Sequence, residues 1–191
     1  MKKEISGAVQ VLNAGGMVIY PTETVYGIGV DAYSKKAINK LYVIKKRVVT
    51  KSISIAVSSI GMIEKVAYVN EFSKNFINFF LPGPITIIMP AKKVLTESLI
   101  AEDGTIGIRM PDNHIALSLI SKFGRPITST SANISGEPAP KQPEDIKIGC
   151  DFILDGGVLP GVPSTVVDLN KRIILREGSM CREVNEYLKS I

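Results

Sequence analysis

The stretch PITSTSANISG, residues 126–136, tells most about this sequence. It begins as an apolar, β-branched run and then fills with hydroxyl and amide side chains, namely Thr128, Ser129, Thr130, Ser131, Asn133 and Ser135. An ordinary core strand does not end in so many neutral hydrogen-bonding groups. Such a density of donors and acceptors suits the binding of a small, polar, anionic ligand. The segment YPTETVYG, residues 20–27, has the same character.

Length and composition are those of a globular protein. The chain has 191 residues, of which 45% are hydrophobic and 21% charged, so it is long enough to bury a substantial core. We therefore expect a single domain over residues 1–191. The formal net charge of +5 favours anionic partners such as nucleotides, RNA or phosphorylated metabolites.

Cysteine and histidine are too scarce for several kinds of site. Cys150 and Cys181 do not make a disulfide scaffold, and with His114 alone they cannot complete a four-ligand zinc site without carboxylates. The first residues lead into an amphipathic segment rather than a signal peptide, and no apolar run reaches the roughly 18 residues that a membrane span needs. We expect a cytoplasmic protein without a membrane partner.

The sequence also lacks the motifs of several common enzyme classes. It contains no Gly-x-x-x-x-Gly-Lys-Ser/Thr loop, no complete Gly-x-Gly-x-x-Gly and no Gly-x-Ser-x-Gly elbow. We interpret His114 as a surface loop residue, which leaves no evident pair of nucleophile and base. Phosphoryl and nucleotidyl transfers depend on positioning and charge stabilisation more than on covalent catalysis, so they remain compatible with this sequence.

Helix and strand patterns alternate along the chain. Because the late strands follow one another without intervening helices, we predict an α/β fold with a mixed β-sheet and helices on its faces. Gly15-Gly16 should end the first helix, and Ser34 should cap the second. The predicted helices lie around residues 5–12, 34–42, 72–80, 116–123 and 184–191, and the predicted strands are 17–20, 53–57, 85–89, 106–110, 127–129, 152–154, 165–169 and 173–175.

Basic residues are concentrated just before the strand predicted at residues 53–57. No acidic residue lies between Asp31 and Glu64, whereas residues 45–51 contain four cations, Lys45, Lys46, Arg47 and Lys51. Such a run is commonly a solvated helix face. Here it straddles a helix end and the next strand, where its charges can converge on a polyanion.

Arg109 stands at the end of an apolar strand. A cation in that position pairs either with a structural carboxylate or with an anionic ligand, and the pattern alone does not choose between them. The planar guanidinium can bind both oxygens of a carboxylate.

Several motifs occur together in the order found in one known family. They are YPTETVYG (20–27), KKR with a further lysine (45–47 and 51), LPGPIT (81–86), GIRMP (107–111), STSAN (129–133), PSTVVD (163–168) and LREG (175–178), and they span nearly the whole chain. On these motifs the sequence resembles the YrdC-like threonylcarbamoyl-AMP synthase family, in its short, single-domain form. The resemblance implies a twisted α/β fold with an open, positively charged cavity.

The resemblance further implies that L-threonine, bicarbonate and ATP are condensed to threonylcarbamoyl-AMP and pyrophosphate. Other proteins would then transfer the threonylcarbamoyl group to a tRNA adenosine beside the anticodon. Mg²⁺ is expected with ATP, without an organic cofactor, but the motifs identify neither the metal ligands nor a catalytic base. Carried over motif by motif, the threonine residues are Thr24, Arg109, Ser129 and Ser164, and the ATP residues are Lys45, Arg47, Lys51, Thr105, Ser131, Asn133 and Arg176.

Two other functions have the same kind of fold. A double-stranded-RNA or tRNA-binding module without synthase activity would use the basic cavity, but an aromatic content of 6% offers little for base stacking. Any RNA binding should therefore be weak and made through phosphates. The carbamoyl-transfer domains of hydrogenase maturation proteins accompany acylphosphatase and zinc-finger modules, and this sequence contains neither.

Overall fold

A computed structural model describes residues 2–48 and 52–190 of the chain. Its six α-helices are Lys2–Asn13 (α1), Lys35–Ile44 (α2), Ile60–Val66 (α3), Glu71–Phe80 (α4), His114–Phe123 (α5) and Cys181–Lys189 (α6). Its nine strands are Val18–Tyr20 (β1), Gly27–Gly29 (β2), Ser54–Ala56 (β3), Ile85–Pro90 (β4), Thr105–Arg109 (β5), Ile127–Ser131 (β6), Phe152–Ile153 (β7), Thr165–Asp168 (β8) and Ile173–Arg176 (β9). Short 3₁₀ turns occur at Glu97–Leu99 and Pro143–Asp145.

Polar side chains fix where several helices begin. The Ser34 hydroxyl accepts a hydrogen bond from the Ala37 amide, which confirms the predicted cap of α2. A reciprocal capping box between Asn70 and Ser73 starts α4, and the Asn113 side chain accepts two amide hydrogen bonds at the start of α5. His114 is therefore the exposed first residue of a helix rather than a loop residue.

The strands of the described residues form one sheet in the order β7-β1-β2-β6-β3-β5-β4-β8-β9. Parallel pairing joins β1 to β7, β3 to β5 and β4 to β8, and the other neighbours are antiparallel. The predicted mixed α/β sheet is thus confirmed. Strand β2 and helix α3 were not predicted, because a three-residue strand with two glycines and a seven-residue helix carry almost no periodic signal.

Helices pack on both faces of this sheet. Helices α1 and α5 contact each other and bury a cluster with Val18, Tyr20, Ala56 and Ile127. Strand residues on the opposite face of the sheet, such as Ile55, Ile87 and Ile108, belong to a larger cluster. This cluster also contains residues of α2, α3, α4 and α6. None of the helices within the described residues is long and apolar enough to cross a membrane.

The face of the sheet that packs against α1 and α5 becomes polar toward one end of strands β3 and β6. In β6, Ile127 is buried in the apolar cluster, while Ser129 and Ser131 lie on the same face further along the strand. In β3, Ala56 belongs to that cluster, and Ser54, two residues earlier on the same face, carries a hydroxyl. The sheet therefore continues past the helices with hydroxyl groups on its surface.

The turn between β9 and α6 is packed tightly against the start of β8. Ser179 donates its amide to the Pro163 carbonyl at 2.9 Å, and a Cβ added at Gly178 would lie 2.3 Å from that carbonyl oxygen and 2.5 Å from the Ser164 carbonyl carbon. Only a residue without a side chain fits there.

Gly178→Ala should destabilise the protein, because its methyl group would meet backbone atoms that cannot move independently. Overpacking of this kind costs about 1–3 kcal/mol, so we expect the melting temperature to fall by roughly 5 °C in calorimetry. Gly149→Ala is the matched control, since an added Cβ there meets nothing within 4 Å. Equal melting temperatures for the two variants would contradict the packing described.

Candidate functional site

A cavity of about 400 Å³ lies over the polar part of the sheet. Eight of the eleven residues carried over from the family line it. They are Thr24, Arg109, Ser129 and Ser164 of the threonine set, and Arg47, Ser131, Asn133 and Arg176 of the ATP set. Residues from 24 to 176 in the chain are thus brought to one site.

A row of paired strand positions forms part of the cavity floor. Arg109 of β5 is in register with Thr86 of β4, Thr86 with Val166 of β8, and Val166 with Arg176 of β9. Because paired residues point to the same face, the two arginines both lie on this floor, with the Thr86 hydroxyl between them. Burial and the nearby positive charge of Arg109 both lower the pKa of Arg176. An anion bound between the two guanidinium groups would relieve this repulsion.

Arg109 is buried and paired with a carboxylate. Its side chain is 9% exposed, and Nη2 donates to Glu23 Oε1 at 2.6 Å and to Thr24 Oγ1 at 3.2 Å. The structure thus gives Arg109 a structural carboxylate partner. Arg109 also lines the cavity, and its binding of an anionic ligand stays a prediction.

Tyr20 supports this ion pair from the sheet. Its hydroxyl donates to the Thr128 carbonyl at 3.1 Å and lies close enough to Arg109 and Glu23 to interact with both charges. Burial raises the pKa of Tyr20 to about 12, so the phenol stays neutral and adds no negative charge beside Glu23.

Four hydroxyl groups of the cavity form two hydrogen-bonded pairs. Thr22 and Thr24 are joined through their Oγ1 atoms at 2.8 Å, and Ser164 Oγ lies 2.9 Å from Thr86 Oγ1. Arg176 Nη2 donates to both the carbonyl and the hydroxyl of Ser164, at 2.8 and 3.0 Å. These contacts fix the orientation of hydroxyls that can bind a polar ligand.

On the other side of the cavity, the end of β6 lies opposite Arg47, which belongs to the basic run at residues 45–51. Ser131 donates its hydroxyl to Asn133 Oδ1 at 2.5 Å, and Arg47 donates through Nη2 to the Ser52 carbonyl at 2.9 Å. Each of these three side chains also lines the cavity.

Lys45 is not placed as the sequence led us to expect. It is 1% exposed, and its Nζ donates to the carbonyls of Ser131 and Asn133 at 2.6 and 2.7 Å. Burial and the neighbouring Arg47 lower the pKa of Lys45 to about 8. The ammonium group therefore secures the loop that carries Ser131 and Asn133, and it does not line the cavity.

Thr105 also lies outside the cavity. It starts β5, four residues before Arg109, which corresponds to about 13 Å along a strand. Its hydroxyl donates to Asp103 Oδ1 at 2.6 Å. The remaining ATP residue, Lys51, falls outside the described residues.

The motif comparison did not assign Thr22 and Thr86, which line the cavity, or Glu23, which is ion-paired to Arg109. All three belong to strings quoted for the family, YPTETVYG and LPGPIT, so their position in those strings was the available signal. Within residues 2–48 and 52–190, no group of three or more His, Cys, Asp or Glu side chains is arranged to hold a metal ion.

Known proteins resemble this chain over most of its length. A family model described as Sua5/YciO/YrdC, telomere recombination, matches residues 10–178. A putative threonylcarbamoyl-AMP synthase of Methanocaldococcus jannaschii is 41% identical over 88% of this chain and 82% of its own. The threonylcarbamoyl-AMP synthase of Bacillus subtilis is 35% identical over 94% of this chain, which spans 55% of the Bacillus protein.

The fold matches a structure solved with a ligand. The crystal structure of Pyrococcus abyssi Sua5 complexed with L-threonine superposes with a TM-score of 0.92 at 33% identity. The match covers 98% of this chain and 58% of the Pyrococcus chain. This chain thus spans little more than half of the Bacillus and Pyrococcus proteins.

Lys45→Met should lower both stability and ligand binding at the cavity, because two buried carbonyls lose a charged donor. Such hydrogen bonds contribute about 1.5–3 kcal/mol, so we expect the melting temperature to fall by several degrees. Lys46→Met is the control, since Lys46 is adjacent and exposed. A weaker affinity for ATP with an unchanged melting temperature would instead favour direct contact between Lys45 and the nucleotide.

Proposed function

The chain belongs to the Sua5/YciO/YrdC family, and from this we propose that it is a threonylcarbamoyl-AMP synthase, a nucleotidyltransferase. It condenses L-threonine, bicarbonate and ATP to threonylcarbamoyl-AMP and pyrophosphate. One observation carries the proposal. A single cavity contains a buried arginine surrounded by hydroxyl groups and two further arginines. The first arrangement suits an amino acid and the second suits a polyphosphate.

In this proposal, threonine binds around Arg109. The guanidinium group takes the carboxylate, as a planar fork can. The hydroxyls of Thr24, Ser129 and Ser164 bind the remaining polar groups of threonine. The Pyrococcus Sua5 structure, whose fold this chain shares, was solved with L-threonine, which supports threonine as a substrate.

ATP binds toward the basic segment and β9. Arg47 and Arg176 are the cations for its phosphates, with Ser131 and Asn133 as neutral hydrogen-bonding groups. Lys51 stays part of this proposal, whereas Lys45 acts through the Ser131–Asn133 loop and Thr105 is left out because it does not reach the cavity. Arginines in fixed positions stabilise the charge that develops during nucleotidyl transfer.

Mg²⁺ enters as part of the ATP substrate. The cation prefers oxygen ligands and is commonly held by substrate phosphates, water and one or two carboxylates. Bicarbonate must lie between the threonine amine and the α-phosphate, because it joins both in the product. Further partners would be the proteins that move the threonylcarbamoyl group to tRNA in the cytoplasm.

An RNA-binding module without synthase activity is the less favoured alternative. Relatives covering most of this chain are named as synthases. The cavity, moreover, is lined by hydroxyl and guanidinium groups rather than by the aromatic rings on which bases stack. Weak, salt-dependent binding of tRNA through phosphates remains compatible with the positive charge.

Pyrophosphate release should require threonine and bicarbonate together with Mg²⁺–ATP, because ATP has no carboxylated acceptor without them. Purified protein incubated with labelled threonine should yield labelled adenylate and one pyrophosphate for each product molecule. Omission of either threonine or bicarbonate is the control. Equal pyrophosphate release from ATP alone would contradict the synthase proposal.

Arg47→Ala should weaken ATP binding at least tenfold in calorimetry with little change for threonine, since a charge-assisted contact is worth about 1.5–3 kcal/mol. Arg182→Ala removes the same charge from an exposed position on α6 and serves as the control. Unchanged ATP affinity in the Arg47 variant would show that this cation faces solvent rather than the triphosphate.

A further inference from the structure

The ion pair at the cavity is incomplete. Arg109 and Glu23 share one contact, between Nη2 and Oε1, although a carboxylate and a guanidinium can form two. Glu23 Oε2 and Arg109 Nε are both buried, and neither has a hydrogen-bond partner among the described residues. Leaving buried polar atoms unpaired is costly, and such exceptions in native proteins call for an explanation.

The two unpaired atoms are complementary to a single kind of ligand. Arg109 Nε is a donor and Glu23 Oε2 is an acceptor, and both belong to the same 2.6 Å ion pair. A ligand that completes them must carry an acceptor and a donor close together. An α-amino acid does so, because its carboxylate and ammonium groups are bonded to one carbon.

Charge leads to the same ligand class. Arg109 and Glu23 together carry no net charge, so a simple carboxylic acid would meet both an attractive guanidinium and a repulsive carboxylate. A zwitterion places its negative group on Arg109 and its positive group on Glu23. The neighbouring Tyr20 stays neutral, and so it does not compete with Glu23 for the ammonium group.

We propose that Glu23 binds the ammonium group of the threonine substrate and accepts its proton before the amine attacks bicarbonate. This inference rests on the proposed function and supplies the base that the motifs do not identify. Glu23 stands between Thr22 and Thr24, which both line the cavity, and 15% of its own side chain remains exposed. Its ion-pair partner Arg109 lines the cavity, so Glu23 lies next to the space in which the amino acid binds.

Deprotonation of threonine by Glu23 comes before the attack on bicarbonate. The threonine ammonium gives one proton to the Glu23 carboxylate and becomes a neutral amine. The amine nitrogen forms a bond to the bicarbonate carbon, and a C–O bond of bicarbonate breaks. The departing hydroxide takes a second proton from nitrogen and leaves as water, which yields the N-carboxylate of threonine. That carboxylate then attacks the α-phosphate of ATP and displaces pyrophosphate. Glu23 releases its proton to solvent, which restores the carboxylate.

Charged groups around Glu23 come from several elements. Arg109 of β5 contacts it directly, Tyr20 of β1 lies close to both members of the pair, and Arg176 of β9 interacts with Arg109. Arg109 thus fixes the Glu23 carboxylate through Oε1, and the unpaired Oε2 is the atom that takes the proton. Replacement of Glu23 by glutamine keeps the shape and a hydrogen-bond acceptor but removes this ability to take a proton.

The test compares Glu23→Gln with the unaltered protein in pyrophosphate release at saturating ATP and bicarbonate. We expect kcat/KM for threonine to fall at least a hundredfold at neutral pH, as general-base catalysis contributes about 10²–10⁴-fold. The loss should shrink as pH rises, because deprotonated threonine from solution then bypasses Glu23. ATP binding should remain unchanged.

A binding measurement gives an independent readout. The probe is 2,3-dihydroxybutyrate, which has a hydroxyl in place of the amine of threonine. The unaltered protein should bind it far more weakly than threonine, and Glu23→Gln should reduce this discrimination because the carboxylate no longer requires a cation. Glu102→Gln, which removes a charge from an exposed turn before β5, is the control.

The outcomes separate this inference from the proposed function. If the unaltered protein releases pyrophosphate with threonine but Glu23→Gln keeps the same pH dependence and discrimination, Glu23 only positions Arg109 and the inference is overturned. If the unaltered protein shows no threonine-dependent release, the proposed function fails instead. Melting temperatures verify folding, and Glu23→Asp, which retains a carboxylate, should recover discrimination even if glutamine lowers stability.

Discussion

The two-residue period of the β-strand is the constraint on which the site depends. One face of β3 and β6 changes from apolar to hydroxyl-bearing within a single strand, while Ile55 on the other face of β3 stays in the large core. A shift of register by one residue would turn Ser129 and Arg109 into that core and expose Ile108 and Thr128. Burial of the isoleucine rows, including Ile55, Ile87 and Ile108, therefore fixes the position of the ligand-binding groups.

Polar groups at this site are held by other polar groups rather than by solvent. The Arg109–Glu23 pair, the hydroxyl pairs and the Lys45 anchor together orient the cavity wall before a ligand arrives. Such preorganisation lowers the cost of binding, since few side chains need to be immobilised. It also places Arg47 and Arg176 in the same cavity as Arg109, which suits an amino acid and a polyphosphate bound side by side.

Much of the sheet could be predicted because β-branched runs bounded by turns are a strong signal. The strand predicted at 85–89 is β4, Ile85–Pro90, and that at 106–110 is β5, Thr105–Arg109. Strand β2 escaped prediction because Gly27 and Gly29 have low strand propensity, and pairing with β1 and β6 overrides it. The direction of the Lys45 side chain depends on a loop some 90 residues away, at Ser131 and Asn133, which no local pattern reveals.

Strand β9 closes one end of the sheet, and its position has a consequence for motion. Among the described strands it is hydrogen-bonded to β8 alone, and its residues are largely exposed. It nevertheless supplies Arg176, which donates a hydrogen bond to the Ser164 carbonyl. Edge strands with few buried contacts open locally at a lower free energy than central strands. Arg109, three strands inward in the same row of paired residues, belongs to the fully buried strand β5. One of the two proposed phosphate-binding arginines thus lies on the part of the sheet that opens most easily, and an occupied cavity would slow amide hydrogen exchange at β9 more than at β5.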